Sequence, residues 1–344
     1  MSISASMIED RLHEVGEDCR RISLGLRAFL LVTSHGGRVY GPFVDGSDRT
    51  GWVAPDFMSP ERFRPFYDKR DWNTGGERLW ISPELAYLVG DRTRFWETFA
   101  VPKELDPGRY ELSVQQGRIA LFQEIVLPRG ATGGACTIGL KRCIEAAGLP
   151  PWGERPGVVS AGFVQTIATT SSDTDTPVVP WIVRQVVQGG QVIIPVDPGA
   201  RATTMFGAPG TSNLMHSDGA LRMQLDGKAM FKVGIPARHS FGQIAYLLRG
   251  EPSSFILYRF DNDRQGIYHD EPPDQPGSNG YSTFVFQDDG ALGSYGELEF
   301  VGTDRGRDRD DCRSGTLSAQ MWVAVGGHDA VCDLARSCLR PPLS

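Results

Sequence analysis

The chain has 344 residues, with 35 Lys+Arg against 42 Asp+Glu, a net charge of −7, and 40% hydrophobic residues. That balance, without a basic stripe, excludes a nucleic-acid binder, which needs Lys and Arg to displace counterions from phosphates. No stretch approaches the roughly 18–20 consecutive apolar residues of a membrane-spanning helix, so no membrane partner is expected.

The N-terminus, MSISASMIEDRLHEVGEDCRRI, is charged and lacks an apolar stretch before a small-residue cleavage site. The expectation is a cytoplasmic protein. Cys19, Cys136, Cys143, Cys312, Cys332 and Cys338 form no CxxC pair and share no spacing with His. They read as free thiols in a reducing compartment, and no metal site is expected from them.

The first elements mark the boundary of a small helical segment, residues 1–22, ahead of a single β domain, residues 23–344. Met7, Leu12 and Val15 fall near one face of an amphipathic helix. From Leu26 to Thr33 the pattern is strand-like, ending at His35-Gly36-Gly37. Tyr110–Gln115 and Arg118–Leu127 alternate around Gln116-Gly117 as a hairpin. Two more hairpins are predicted, Val183–Val187 with Gln191–Val196 around Gly189-Gly190, and Leu221–Leu225 with Lys228–Ile235 around Asp226-Gly227. Further strands are predicted at Val158–Thr169, Ile244–Leu248, Phe255–Phe260, Tyr295–Val301 and Leu317–Val325. A short helix capped by Asp329 closes the chain. The stretches 270–280 and 304–313 read as solvated connections. With 41 Gly and 23 Pro set among short apolar runs, and no internal repeat, the fold class is all-β and mainly antiparallel.

No GxSxG elbow, P-loop, strand-borne GxGxxG or HExxH occurs, and the Gly-Gly pairs, 133–134 included, lack the Lys of a phosphate cradle. One segment concentrates site-forming residues: Trp72-Asn73-Thr74-Gly75-Gly76-Glu77-Arg78-Leu79-Trp80-Ile81-Ser82-Pro83-Glu84. Flat aromatic faces with planar amide, carboxylate and guanidinium groups suit a sugar, whose neighbouring hydroxyls are bound two at a time. The same residues also suit a core in which Arg78 pairs with Glu84 or Glu77 and Gly-Gly is a bulge.

In Gly296-Glu297-Leu298-Glu299-Phe300-Val301, the period of two puts Glu297 and Glu299 on one strand face. Such a pair is either an acid/base couple, with one pKa raised by repulsion, or an exposed strand face. His35, His216, His239 and His269 are candidate proton donors, although a lone His in a β protein commonly has a structural role.

Taken together, HGGRVYGPF, WNTGGERLWISPE, Trp181-Ile182-Val183-Arg184-Gln185-Val186 and YGELEFVG resemble the galactose-mutarotase-like (aldose 1-epimerase-like) superfamily. The resemblance is nearest to uncharacterised bacterial members with a GGxRxWxxPE signature. It implies a galactose-mutarotase-like β-supersandwich of large antiparallel sheets with a sugar cleft on the concave side. It also implies Glu299 as general base, with Glu297 as fallback, and His216 as general acid, His239 or His35 standing behind it. Arg78, Trp80, Glu84, Trp72 and Asn73, with His35 and His239, are then the residues around a small carbohydrate. No cofactor and no metal is needed, since an acid and a base suffice. A phosphorylated sugar calls for a basic cluster, for which Arg38, Arg49, Arg62, Arg64 and Arg78 are available. The rival expectations are a non-catalytic sugar-binding protein and a glycoside hydrolase or lyase built on two carboxylates such as Glu84 with Glu297 or Glu299.

Overall fold

The computed structural model describes residues 3–46, 50–128, 135–210, 213–217, 219–307 and 312–339. Two large antiparallel sheets face one another. The nine-stranded sheet runs in the order Cys19–Ser23, Ala28–Thr33, Val39–Val44, Glu77–Ser82, Val179–Val187, Tyr295–Val301, Tyr281–Gln287, Phe231–Pro236, Thr203–Gly207. The eleven-stranded sheet runs from Leu214–Ser217 through Ala220–Gln224, Gln191–Pro195, Gln243–Leu248 and Ser253–Phe260 to the long strands Arg313–Gly326 and Val158–Ser171. It ends on Ala135–Ala146, Arg118–Pro128 and Glu111–Gln115, and Thr303–Arg307 pairs alongside Arg313–Gly326. This is the all-β, antiparallel two-sheet architecture predicted from composition and turn pattern, with short helices at its margins.

Alternation builds the layer between the sheets. Leu79, Ile81, Ile182, Leu298, Phe300 and Val285 turn inward and are buried, each contributing about 1.5–3 kcal/mol of transfer free energy. Charged groups join them, Glu77 among them. Glu77 is fully buried and accepts from Gln165 Nε2 (2.9 Å), from the Tyr258 hydroxyl and from the Arg142 guanidinium, three residues of the opposite sheet. A buried carboxylate with that many partners fixes how the two sheets sit on each other, because any displacement strands a charge.

The hairpin at Gln116-Gly117 forms as predicted, with φ of 50° and 78°, the left-handed pair that a two-residue hairpin turn demands. The other two predicted hairpins do not form. Val179–Val187 belongs to the nine-stranded sheet and Gln191–Pro195 to the eleven-stranded one; Ala220–Gln224 and Phe231–Pro236 are divided the other way. Both turns are crossovers between layers, and they bond each other: Gly189 N–H donates to Leu225 O (2.7 Å) and Leu225 N–H to Gly190 O (3.0 Å). Turn residues dictate a change of direction, whereas the pairing partner is decided by which neighbour buries each strand. Gly190 is required here by space, since a Cβ would lie 2.3 Å from the Tyr246 ring.

The N-terminal helix spans Ala5–Glu14, and its buried residues are Ala5, Ile8 and Leu12, while Met7 is 40% exposed. The predicted helical segment 1–22 therefore ends early: Cys19–Ser23 is an edge strand paired with Ala28–Thr33. At the other end His328–Cys338 is helical, with Gly327 and not Asp329 at the N-cap, and its Val331, Leu334 and Ala335 are buried. The stretch 270–280 is not merely solvated, because Asp270 is buried and Arg92 bonds Glu271 and the carbonyls of Pro272 and Pro273. In the stretch 304–313, Thr303–Arg307 is a strand and Asp304 pairs with Arg313; residues 308–311, like Gly133-Gly134 and Arg49, lie outside the described residues. Among the described residues no helix is long and apolar enough to cross a membrane.

Candidate functional site

The strand Glu77–Ser82 alternates, so the inward residues Glu77, Leu79 and Ile81 leave Arg78, Trp80 and Ser82 on the sheet's other face. Register carries that face across five more strands. Trp80 lies opposite Trp181, Glu299 opposite Val183 and Phe284, Glu297 opposite Gln185 and Phe286, and Phe286 opposite Lys232, which neighbours Phe206. The result is a cleft of about 400 Å³, counting its open mouth. Its floor carries Arg78, Glu84, Lys232, Glu297 and Glu299, and its walls are aromatic.

The charged floor is tightly ordered. Arg78 Nη2 donates to Glu297 Oε1 at 2.6 Å, and Gln185 Nε2 donates to the same oxygen at 3.1 Å. The Arg78 guanidinium lies 4.0 Å from the Trp80 ring centroid and 4.8 Å from that of Trp72, so two aromatic faces help to hold a desolvated cation. Lys232 Nζ lies 3.1 Å from Glu84 Oε2 and 3.1 Å from Glu299 Oε2, with the Trp181 ring centroid at 4.3 Å. The Trp181 indole N–H donates to Glu299 Oε2 at 3.1 Å. Both bonds to Glu299 thus converge on one oxygen. Its Oε1, although buried, has no protein partner.

Glu299 is 1% exposed, and burial pushes its carboxyl up to about 7, helped by the charges of Glu297 and Glu84 and opposed by Lys232. Glu84 is also raised, by burial first and then by Asp270, with Lys232 again opposing. Lys232 moves upward too: burial pulls it down, but Glu299, Glu84 and Asp270 outweigh that and keep it an ammonium.

Residues beyond the cleft position this set. Asp106 accepts from both Arg38 (2.8 Å) and the Trp80 indole N–H (2.7 Å), which orients the ring. Asp270 accepts from the Ser82 hydroxyl and from the backbone N–H of Glu84 (2.8 Å), fixing Glu84 at the start of the turn Glu84–Tyr87. Asn73 does not line the cleft: its Oδ1 accepts from Gln185 (2.8 Å) and its amide donates to Leu292 O (2.7 Å). Phe95, Trp96 and Phe99 form the mouth, packed on Phe206; the Phe95–Phe206 and Trp96–Phe206 centroids are 5.5 and 4.8 Å apart.

Of the predicted residues, the structure gathers Trp72, Arg78, Trp80, Glu84, Glu297 and Glu299 around one cleft. The histidines go elsewhere. His216 lies on Leu214–Ser217, the exposed edge strand of the other sheet. His239 lies beside Asp197 (3.3 Å) with Arg264 on the same carboxylate, and His35 is buried against Glu17 (3.8 Å) and the Tyr67 ring. Local spacing could not assign them, because whether a strand reaches the cleft depends on which sheet it joins. Neither of the core pairings considered for Arg78 occurs, since Glu77 and Glu84 bond Arg142 and Lys232. Nor is Glu297–Glu299 an exposed strand face.

Of the basic cluster, Arg78 alone among the described residues lines the cleft; Arg38 is consumed by Asp106, and Arg62 and Arg64 pair with Asp56 and Asp68 on an exposed helix. Lys232, Trp181, Asp106 and Asp270 were not legible as site residues. The only hint for Lys232 is a lone charge inside the apolar run FKVGIP. No group of three or more His, Cys, Asp or Glu among the described residues is placed to hold a metal ion.

No family model matches the chain, and no curated protein matches it in sequence. Among solved structures, it is similar to the crystal structure of HI1317, at 9% identity and a TM-score of 0.40, over 89% of this chain and 91% of that one. It is also similar to a galactose mutarotase related enzyme from Lactobacillus acidophilus, at 8% identity and a TM-score of 0.32, over 90% and 98% of the two chains.

Proposed function

We propose that the cleft binds a sugar and that Glu299 is a general base acting at its anomeric centre, in the manner of an aldose 1-epimerase. The observation that carries this reading is the buried Glu299 carboxyl, poised near neutrality, with Oε1 unpaired on the floor of a tryptophan-walled cleft. A base whose pKa lies near the working pH is half available and half regenerated, the best compromise for proton transfer. Trp72 and Trp96 line the cleft with ring surface for C–H groups, while Arg78, whose Nε and Nη1 have no protein partner, offers donors to hydroxyls. The galactose-mutarotase-like resemblance of the YGELEFVG and GGERLWISPE segments supports the same assignment.

A non-catalytic sugar-binding role is the second reading, favoured by the placement of His216, His239 and His35 away from the cleft. Exchange and saturation-transfer NMR against aldoses, uronic acids and sugar phosphates separates the two. We expect accelerated anomer exchange for one sugar, lost in Glu299→Gln with binding retained. Saturable binding without exchange selects the second reading, and no binding across the panel rejects both. Trp96, 51% exposed at the mouth, gives an internal check. Trp96→Ala should weaken binding by about 1 kcal/mol with little change in stability.

A further inference from the structure

Ring opening needs an acid as well as a base, and the cleft holds no histidine among its lining residues. It does hold two cations, Arg78 and Lys232, against three carboxylates, Glu84, Glu297 and Glu299. Glu297 has a cation of its own, since Arg78 and Gln185 both donate to its Oε1. The uncompensated charge therefore falls on Glu84 and Glu299, whose Oε2 atoms both lie 3.1 Å from the same ammonium. One lysine here serves two desolvated carboxylates, and burial together with their mutual repulsion favours retention of a proton between them.

We propose that Glu84 and Glu299 share a single proton across Lys232, and that Glu84 is the proton donor of the cleft. Two features of the geometry assign the direction. Glu299 has an unpaired Oε1 ready to accept, and Glu84 is pinned by Asp270 at its backbone N–H, leaving its side chain to line the cleft. Burial raises both carboxyls, which is the behaviour that a shared proton requires.

The step rests on the sugar reading above. Glu299 Oε1 takes the proton of the anomeric hydroxyl, the electron pair of that O–H bond becomes the second bond of a C1 carbonyl, and the bond from C1 to the ring oxygen breaks with its pair going to that oxygen. Glu84 gives its proton to the departing ring oxygen, leaving an open-chain aldehyde with a free hydroxyl. Rotation about C1–C2 and the reverse transfers close the other anomer, and no oxidant, reductant or co-reactant is consumed. Lys232 stays charged throughout and holds whichever carboxylate is ionised.

The test is carboxyl NMR on protein labelled at the Glu side-chain carboxyl carbon, titrated as wild type, Glu84→Gln and Glu299→Gln, alongside anomer exchange. In Glu84→Gln we expect the Glu299 midpoint to fall by at least one pH unit, about tenfold in proton affinity, because Lys232 then serves one carboxylate. Anomer exchange should drop by about 100-fold or more, with sugar binding within about twofold. An unmoved Glu299 midpoint, or undiminished exchange, overturns the proposal. Should Glu84→Gln not fold, Glu84→Asp keeps the acid but withdraws it from Lys232, and an unmoved Glu299 midpoint there overturns the proposal equally. If the midpoint moves but wild-type protein exchanges no sugar, the shared proton stands, and the epimerase reading and the delivery step fall.

Discussion

Arg78 and Glu297 are separated by 219 positions in the chain, yet they form a buried 2.6 Å ion pair on the floor of the cleft. With exposures of 1% and 6% both are almost removed from water, so each is tolerated largely because of the other. Arg78→Met should therefore cost roughly 3–5 kcal/mol by leaving a carboxylate buried and unpaired. Arg78→Met with Glu297→Leu should recover most of that loss. Urea denaturation of the four members of this cycle checks it, and additive costs contradict a coupled pair.

Glu299 makes a distinct prediction for pH. Its carboxyl is raised from an ordinary 4.5 to about 7 in the folded protein, so the native state binds more protons than the unfolded chain between these values. Its contribution to stability is fully present below about pH 4.5 and is lost as the pH rises through about 7. The difference is on the order of 3 kcal/mol. Chemical denaturation at pH 4.5 and pH 8 should show this loss in wild type and not in Glu299→Gln. An equal slope in both proteins contradicts the assignment.

Gly75 tests the local geometry of the motif. Its φ is +95°, and a Cβ would lie 2.5 Å from Val53 Cα and 2.6 Å from Trp52 O, both backbone atoms that cannot step aside. Gly75→Ala should cost at least about 2 kcal/mol, combining left-handed strain with overpacking. It should also disturb Trp72 and Arg78 beside it, so sugar affinity and melting temperature should fall together. A variant that melts within a degree or two of wild type counts against this.

The fit of these residues into one site was only partly legible beforehand. Glu297 with Glu299 could be placed on a common face because strand alternation has a period of two and needs no knowledge of neighbours. Gly75 sits at a close backbone approach by Val53 and Trp52. Lys232 was invisible because a lone Lys in a strand ordinarily marks a solvent face; here register sets it between two carboxylates. The histidines misled for the converse reason. Chemistry nominated His216, but its strand joins the far edge of the other sheet.

Glycine, proline and short alternating runs by themselves determined an antiparallel all-β chain, many of its strands though not Glu77–Ser82, Ala135–Ala146 or Tyr281–Gln287, and the sharing of one strand face by Glu297 and Glu299. These are consequences of local backbone sterics and of alternation. The tertiary structure alone decided that Gly189-Gly190 and Asp226-Gly227 are crossovers between sheets and not hairpins, that Glu77 ties the layers, and that Lys232 joins Glu84 to Glu299. Each of those outcomes depends on which distant strand buries which face, a free-energy comparison among non-local pairings that no short segment contains.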